Sequence, residues 1–333
     1  MPYKERLKQA EGKPRKRRKP GYRVTNARAY NQSLKRRGMI SLYFCGGDLK
    51  AQFINARTHT PGVSGRVPTY TEAYIQIIFT FYRLFGWGMR QITGYMEDYW
   101  ATRGLDIPVP SFGQLSDRFA ALEPEVTQRC ERLARRLARG ESVSLIIDST
   151  GLSFGRASQW HEEKYGQKPA RTPWRKMHLG IDTDMNIHSI RITTDDVSDI
   201  ETMDTLLKAD APVDRVIADG AYYSIEGTEA LSQAGITPVI PPPSHAVVHG
   251  KTDATWHDHI VGYIKEKGIY AFHKKHGYGL RSLVEAQISR LKRCIGERLL
   301  TQKLASQENE GGVIANLVNL RNSFGRCVCV KNG

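Results

Sequence analysis

The sequence predicts an α/β protein, with a mixed five-stranded sheet flanked by helices over residues 141–328, an all-helical segment over 61–140 and a basic arm over 1–60. Three observations predict it. Apolar residues recur at helical spacing between Val67 and Gly140. After Gly140 short apolar runs alternate with helical segments, the pattern of a layered sheet. Positive charge is concentrated in the first 50 residues, which hold 15 Lys/Arg against 3 Asp/Glu.

In the arm, NQSLKRRGMISLYF between Tyr30 and Phe44 is the one stretch suited to a short element. The helical segment opens with a capping box of Thr69 and Glu72 ahead of Tyr74, Ile77, Ile78, Phe81, Leu84 and Phe85, and Gly86 and Gly88 stop it. A second helix runs from Met89 to about Thr102, and a third starts at Ser111, an N-cap after Pro110. Val126, Cys130, Leu133 and Leu137 predict a fourth over 123–137. Short helices with tight joints suit a helix-turn-helix, with Ser111–Phe119 as a recognition helix presenting Gln114, Ser116 and Arg118 to DNA; a plain packing domain fits the spacing equally well.

Five strands follow. VSLIID (143–148) is an apolar run ending in Asp148, and WRKMHLGID (174–182) and NIHSIRITT (186–194) flank a hairpin turn. Ser198 and Glu201 box the start of a helix, VDRVIADG (213–220) is a second apolar strand carrying Asp219, a helix spans about Ile225 to Ala234, and TPVIPP (237–242) is the fifth strand. A long helix closes the pattern. Its residues Tyr278, Arg281, Glu285 and Lys292 project at roughly 0°, 300°, 340° and 320°, a polar stripe beside an apolar arc of Leu280, Leu283, Val284, Ile288, Leu291 and Ile295.

A formal charge of +15 makes a polyanion the first partner to consider, and KPRKRRK at 13–19 offers Arg15, Lys16, Arg17 and Arg18 as DNA contacts; a solvated basic tail is the alternative. No apolar run follows this stretch, and the most apolar one, Tyr74–Met89, is interrupted and shorter than the roughly 20 residues of a membrane span, so a soluble, cytoplasmic and nucleoid-associated chain is expected. Five cysteines lack disulfide or zinc spacing and read as reduced and structural, Cys327-Val-Cys329 included.

Open α/β sheets present ligand-binding groups at the carboxyl ends of their strands. Asp148 and Asp219 stand at two such ends, where paired carboxylates repel unless a cation joins them. Glu285 adds a third hard oxygen donor, a set suited to Mg²⁺ or Mn²⁺. The stripe alone also reads as a salt-bridged helix edge, because Arg281 and Glu285 are four residues apart.

IDSTGLSFG around Asp148, ADGAYYS around Asp219 and the spacing Y278-x2-R281-x3-E285-x6-K292 resemble the bacterial insertion-sequence transposases of the DDE superfamily, in the insertion-sequence-5-like branch. The similarity extends from NARAYNQSLKRRG (26–38) to the final helix. It implies a ribonuclease-H-like catalytic domain in which Asp148, Asp219 and Glu285 hold two Mg²⁺ ions, while Tyr278, Arg281 and Lys292 contact DNA near the scissile phosphate. The implied reaction is cleavage at terminal inverted repeats and joining of 3′-hydroxyl ends to target DNA, by a homodimer assembled on double-stranded DNA. An inactive DNA-binding relative or a host nuclease on the same fold is the other function class.

About 65 residues separate Asp219 from Glu285, and they carry six histidines; His257-Asp258-His259 is weighed as a metal site against solvated loop histidines. Asp182, Asp184 and Asn186 mimic a calcium loop without its later ligands and read as a hairpin turn. Glu297 projects onto the flank opposite the stripe. Trp160, Trp174, Arg175 and Lys176 are further DNA candidates, Lys176 the strongest of them.

If the arm tracks DNA backbone, deleting residues 1–37 flattens the salt dependence of DNA binding, each lost phosphate contact changing the log–log slope by about 0.9. Filter binding across a salt series measures this, and an unchanged slope makes the arm a spectator.

Overall fold

A computed structural model describes residues 21–44, 46–54, 70–155, 173–208 and 211–332. The expectations for Arg15, Lys16, Arg17, Arg18, Cys45, Thr69 and Trp160 fall outside them. Strand β1 (Tyr22–Val24) and helix α1 (Ala27–Arg37) come first, then a 3-10 turn (Ile40–Tyr43) and α2 (Leu49–Phe53). Among the described residues no helix is long and apolar enough to cross a membrane.

The helical segment forms α3 (Glu72–Phe85), α4 (Met89–Ala101), α5 (Phe112–Ala121) and α6 (Glu131–Leu137). Helix α3 is capped by Thr71, whose hydroxyl accepts from Tyr74 N, and ends at Gly86 in the left-handed conformation. Its buried face is wider than the predicted one, taking in Ile75, Phe79 and Tyr82, because Phe79 stacks on Phe119 of α5 while Phe81 packs on Tyr43 and Phe44. The predicted 123–137 helix is half as long. Residues 125–127 are irregular instead: Asn316 donates to Glu125 O and accepts from Thr127 N, and Asn319 donates to Thr127 O.

The sheet is made of β2 (Val143–Ser153), β3 (Trp174–Ile181), β4 (Ile187–Thr193), β5 (Val213–Ile217) and β6 (Thr237–Val239), in the order β4-β3-β2-β5-β6. β2, β3 and β4 pair antiparallel, while β5 lies parallel to β2 and β6 parallel to β5. Helices α7 (Asp199–Leu206) and α8 (Ile225–Gln233) cover one face. α9 (Thr255–Lys267), α10 (Ile269–His276), α11 (Ser282–Cys294) and α12 (Leu304–Ser323) belong to the other. Alternation along β2 sends Ile146 and Leu152 to the α11–α12 face and Leu145 and Ile147 to the α7–α8 face, which makes β2 the buried centre of three layers. Val284, Ile288 and Leu291 anchor α11 there, burial worth roughly 2 kcal/mol apiece.

One expectation changes and another holds. The histidine-bearing interval after Asp219 is mostly helical, and His257 is buried on α9: its Nε2 donates to Val247 O, leaving Nδ1 to accept from the Tyr223 hydroxyl. Asp258 is spent on the amides of His249 and Gly250, so neither a metal site nor a solvated loop describes this cluster. Asp182, Asp184 and Asn186 do form the hairpin turn, with Asp182 accepting from Asn186 N and Nδ2.

Helix α12 packs against β4 and against α3 and α5. Accordingly Tyr43–Ser323, helical segment and sheet alike, form one compact unit. The described parts of Met1–Leu42 and Phe324–Gly333 form a second, in which β1 pairs antiparallel with β7 (Cys329–Lys331) and Arg36 stacks over Phe324. Within the larger unit, Glu310 of α12 is fully buried. It accepts from Leu300 N, Thr301 N and the Thr301 hydroxyl, and pairs with buried Arg83 of α3 at 3.3 Å.

Removing one partner of such a pair strands the other charge. Glu310→Ala is therefore expected to cost about 3–5 kcal/mol in urea unfolding; a loss below about 1 kcal/mol would show that the pair does not hold α3 to α12.

Candidate active site at the edge of the β2–β5 pairing

Asp148 does not end its strand. β2 runs on to Ser153, paired with β3, whereas its pairing with β5 stops at Ile146 and Ile217. Asp148 thus sits where β2 loses its parallel neighbour and a cleft opens. Asp219, two residues beyond β5, caps a 3-10 turn (Gly220–Tyr222) by accepting from Ala221 N at 2.9 Å. Glu285 projects from the first turn of α11.

The three carboxylates converge on one guanidinium. Arg281 Nη2 lies 3.1 Å from Asp148 Oδ2 and 3.5 Å from Asp219 Oδ2, and Nη1 lies 2.5 Å from Glu285 Oε1. Side-chain exposure rises from 12% for Asp148 through 36% for Asp219 to 57% for Glu285, so the cluster has a buried floor and an open rim. Burial pushes the Asp148 carboxyl above its usual range, and Arg281 pulls the other way. Burial lowers the Arg281 guanidinium, but the surrounding acids, Asp148 foremost, outweigh it and leave it raised. Its Nε is buried without a hydrogen-bond partner. Among the described residues no three His, Cys, Asp or Glu side chains are grouped as a metal site; here the shared cation is Arg281.

The stripe is not one continuous α-helix. Tyr278–Arg281 is a 3-10 turn entered from Gly277 in the left-handed conformation, and α11 begins at Ser282. Arg281 still reaches Glu285, because the turn leads straight into the helix. Tyr278 stacks on His273 with ring centroids 4.4 Å apart, and burial pushes its phenol up. Lys292 Nζ donates to Gly151 O on the extension of β2. Asp148, Glu285, Lys292, Arg293 and Glu297 line a cleft of about 370 Å³. Glu297 shares this cleft because α11 ends at Cys294, so its helical projection does not apply.

The remaining candidates lie elsewhere. Lys176 Nζ donates to Val197 O and faces Asp199 at 3.5 Å, on the sheet face away from α11. Arg175 donates to Gln307 and stacks over Phe154. Trp174 packs against Gly151. On α5, Gln114 completes the capping box with Ser111, and Arg118 donates to Tyr70 O.

The sheet order, with its second strand antiparallel and acids clustered beside the central parallel pair, defines a ribonuclease-H-like α/β protein. A family model described as the transposase DDE domain matches residues 139–320, more than half of the chain, and a second of the same description matches residues 35–156. The chain belongs to this family of DDE transposases.

Beneath the acids lies a buried polar network that periodicity did not reveal, since its members sit in apolar strands and capping turns. His178, on β3 opposite Ser149, contacts the hydroxyls of Thr193 (3.0 Å), Thr202 (3.2 Å) and Tyr222 (3.4 Å). The Thr202 proton is committed to Asp199 O, so His178 donates from Nδ1 to Thr202 and accepts at Nε2 from Thr193. Burial holds His178 down at about 4, with Asp199 raising it and Lys176 lowering it further.

A histidine kept neutral in the fold but titrating near 6.5 when unfolded leaves stability intact above pH 6.5 and erodes it as pH falls toward 4. Between pH 7 and pH 5 this contribution is about 2 kcal/mol. Urea unfolding at the two pH values should show that loss in the wild type and not in His178→Gln; equal slopes would remove His178 as its source.

Proposed function

We propose that this transposase binds the terminal inverted repeats of its insertion sequence, cleaves at the element ends and joins the 3′-hydroxyl ends to target DNA. The convergence of Asp148, Asp219 and Glu285 on the single guanidinium of Arg281 carries this reading. Three carboxylates from distant parts of the chain have been brought around one positive charge, and their all-oxygen donor set suits Mg²⁺, with Mn²⁺ able to substitute. In the proposal the acids hold two such ions. When bound, divalent ions would activate a water or 3′-hydroxyl and stabilise the oxygens of an in-line displacement.

The chain's own residues have separable tasks. Arg281 offsets part of the acids' charge in the free protein, and its planar fork then suits it to clamp a DNA phosphate. Lys292, already at the cleft rim on Gly151 O, supplies a point charge to the same backbone. Tyr278 is held in place by His273. Arg15, Lys16, Arg17 and Arg18 of the arm, and Gln114 and Arg118 of α5, are assigned to DNA contact. Arg175, whose Nε bonds Gln307, and Lys176, whose Nζ bonds Val197 O, are assigned to DNA as well. Holding two ends calls for a homodimer on DNA. Membership of the insertion-sequence-5-like branch rests on the Tyr278-to-Lys292 spacing.

Incubating the protein with its native element ends and Mg²⁺ is expected to yield cleaved and joined products. Asp148→Ala, Asp219→Ala and Glu285→Ala are each expected to abolish cleavage while end binding persists. Comparable cleavage by any of them would remove that residue from the site, and end binding without cleavage by the wild type would favour an inactive DNA-binding relative.

A further inference from the structure

The smaller compact unit carries charge of one sign. Its described residues, 21–42 and 324–332, hold five and two Lys/Arg respectively and no Asp or Glu. Strand β1 pairs with β7, and the start of α1 is tied to the same C-terminal segment. Asn26 Nδ2 donates to Arg326 O and Asn26 Oδ1 accepts from Val328 N, each at 2.8 Å. Gly325, at φ +124°, passes so close to α1 that an added Cβ would stand 3.2 Å from the Ser33 Cβ.

Helix α1 has two different faces. Tyr30, Ser33 and Arg37 share the side withdrawn from solvent. Arg28, Asn31, Gln32 and Lys35, spaced i, i+3, i+4 and i+7, stand on the opposite side and are all exposed. With Thr25 and Asn26 they line one open surface. None of the four makes a side-chain hydrogen bond or ion pair among the described residues. A solvated helix face gains from acid–base pairs four residues apart, and this one has two amides where acids would stand. Those residue types match base edges: Arg and Lys donate to guanine O6 and N7, and Asn and Gln pair bidentately with adenine. From Arg28 to Lys35 the helix rises about 10 Å, the length of about three base pairs. Helix α5 offers less, since Gln114 Oε1 accepts from Ser111 N and Arg118 donates to Tyr70 O.

We infer that α1, carried by the β1–β7 pair, is the helix that reads the sequence of the element end, with Arg28, Asn31, Gln32 and Lys35 facing base edges in the major groove of double-stranded DNA. The inference rests on the proposed binding of terminal inverted repeats. An acidic protein surface would be met by the two cations alone. The amides between them add paired donors and acceptors, which a base edge matches and a phosphate, having only acceptors, does not.

The test is fluorescence anisotropy of the full chain, at fixed salt and without divalent ions, on a native element-end duplex and on a scrambled duplex of equal length. Asn31→Ala and Gln32→Ala are each expected to lower the preference for the element end about tenfold, with affinity for the scrambled duplex unchanged. Both positions are exposed and Ala favours helix, so the circular dichroism spectrum should be retained. An unchanged preference in either variant overturns the inference. So does an equal loss on both duplexes, which would mean that the stripe meets only phosphates. A wild type with no preference for the element end would sink the proposed end binding, and this inference with it. Because no divalent ion is present, the result stands whether or not the acids cleave DNA.

Discussion

Three carboxylates gathered at one edge of a sheet repel one another unless positive charge stands among them, and the arrangement of this protein follows from how that charge is supplied. Arg281 does so from a 3-10 turn, within 3.5 Å of all three acids, with the most buried of them, Asp148, in the least solvated position. The turn must therefore stop where it does, and α11 must start at Ser282, so that a guanidinium and Glu285 reach the same cleft. The apolar side of α11 secures this by burying Val284, Ile288 and Leu291 on the sheet. An acid cluster whose repulsion a side chain partly offsets, rather than one left bare, is one the protein can keep folded before DNA arrives.

Helix α12 sets the second constraint. It is not amphipathic: small, apolar and amide residues face inward on every side, as expected of a helix enclosed by other elements. Its asparagines replace secondary structure where none can form. Asn309 donates to the Phe119 and Ala120 carbonyls at the end of α5, Asn316 and Asn319 hold the 125–127 backbone, and Asn319 also serves both backbone groups of Ile187 in β4. Close packing is part of the same design, since a Cβ on Gly312 would stand 2.8 Å from the Pro124 carbonyl oxygen. Helical segment and sheet consequently share one compact unit.

Much of the fold could be read from local patterns. The strands around Asp148 and Asp219, the Ser198 capping box, the Ser111 N-cap, the helix starting at Met89 and the hairpin turn at Asp182 all appear as expected. The misses have local causes too. Residues 123–130 carry helical spacing, but amides of α12 take their backbone groups. α12 itself lacks a one-sided apolar stripe and left no periodic signal. The histidine-rich interval looked polar, although His257 is buried with both ring nitrogens engaged.

By itself the sequence determined which residue types were available, their spacing along strands and helices, and the basic charge that points to DNA, because these depend on short-range geometry and on composition. The tertiary structure alone decided that Arg281 meets Asp148 across 133 residues and Asp219 across 62. It also decided that Lys176 turns inward and that His178 and Tyr222 meet beneath the acids. Those contacts join residues that no local period relates, and they exist only once the sheet has brought its strands side by side.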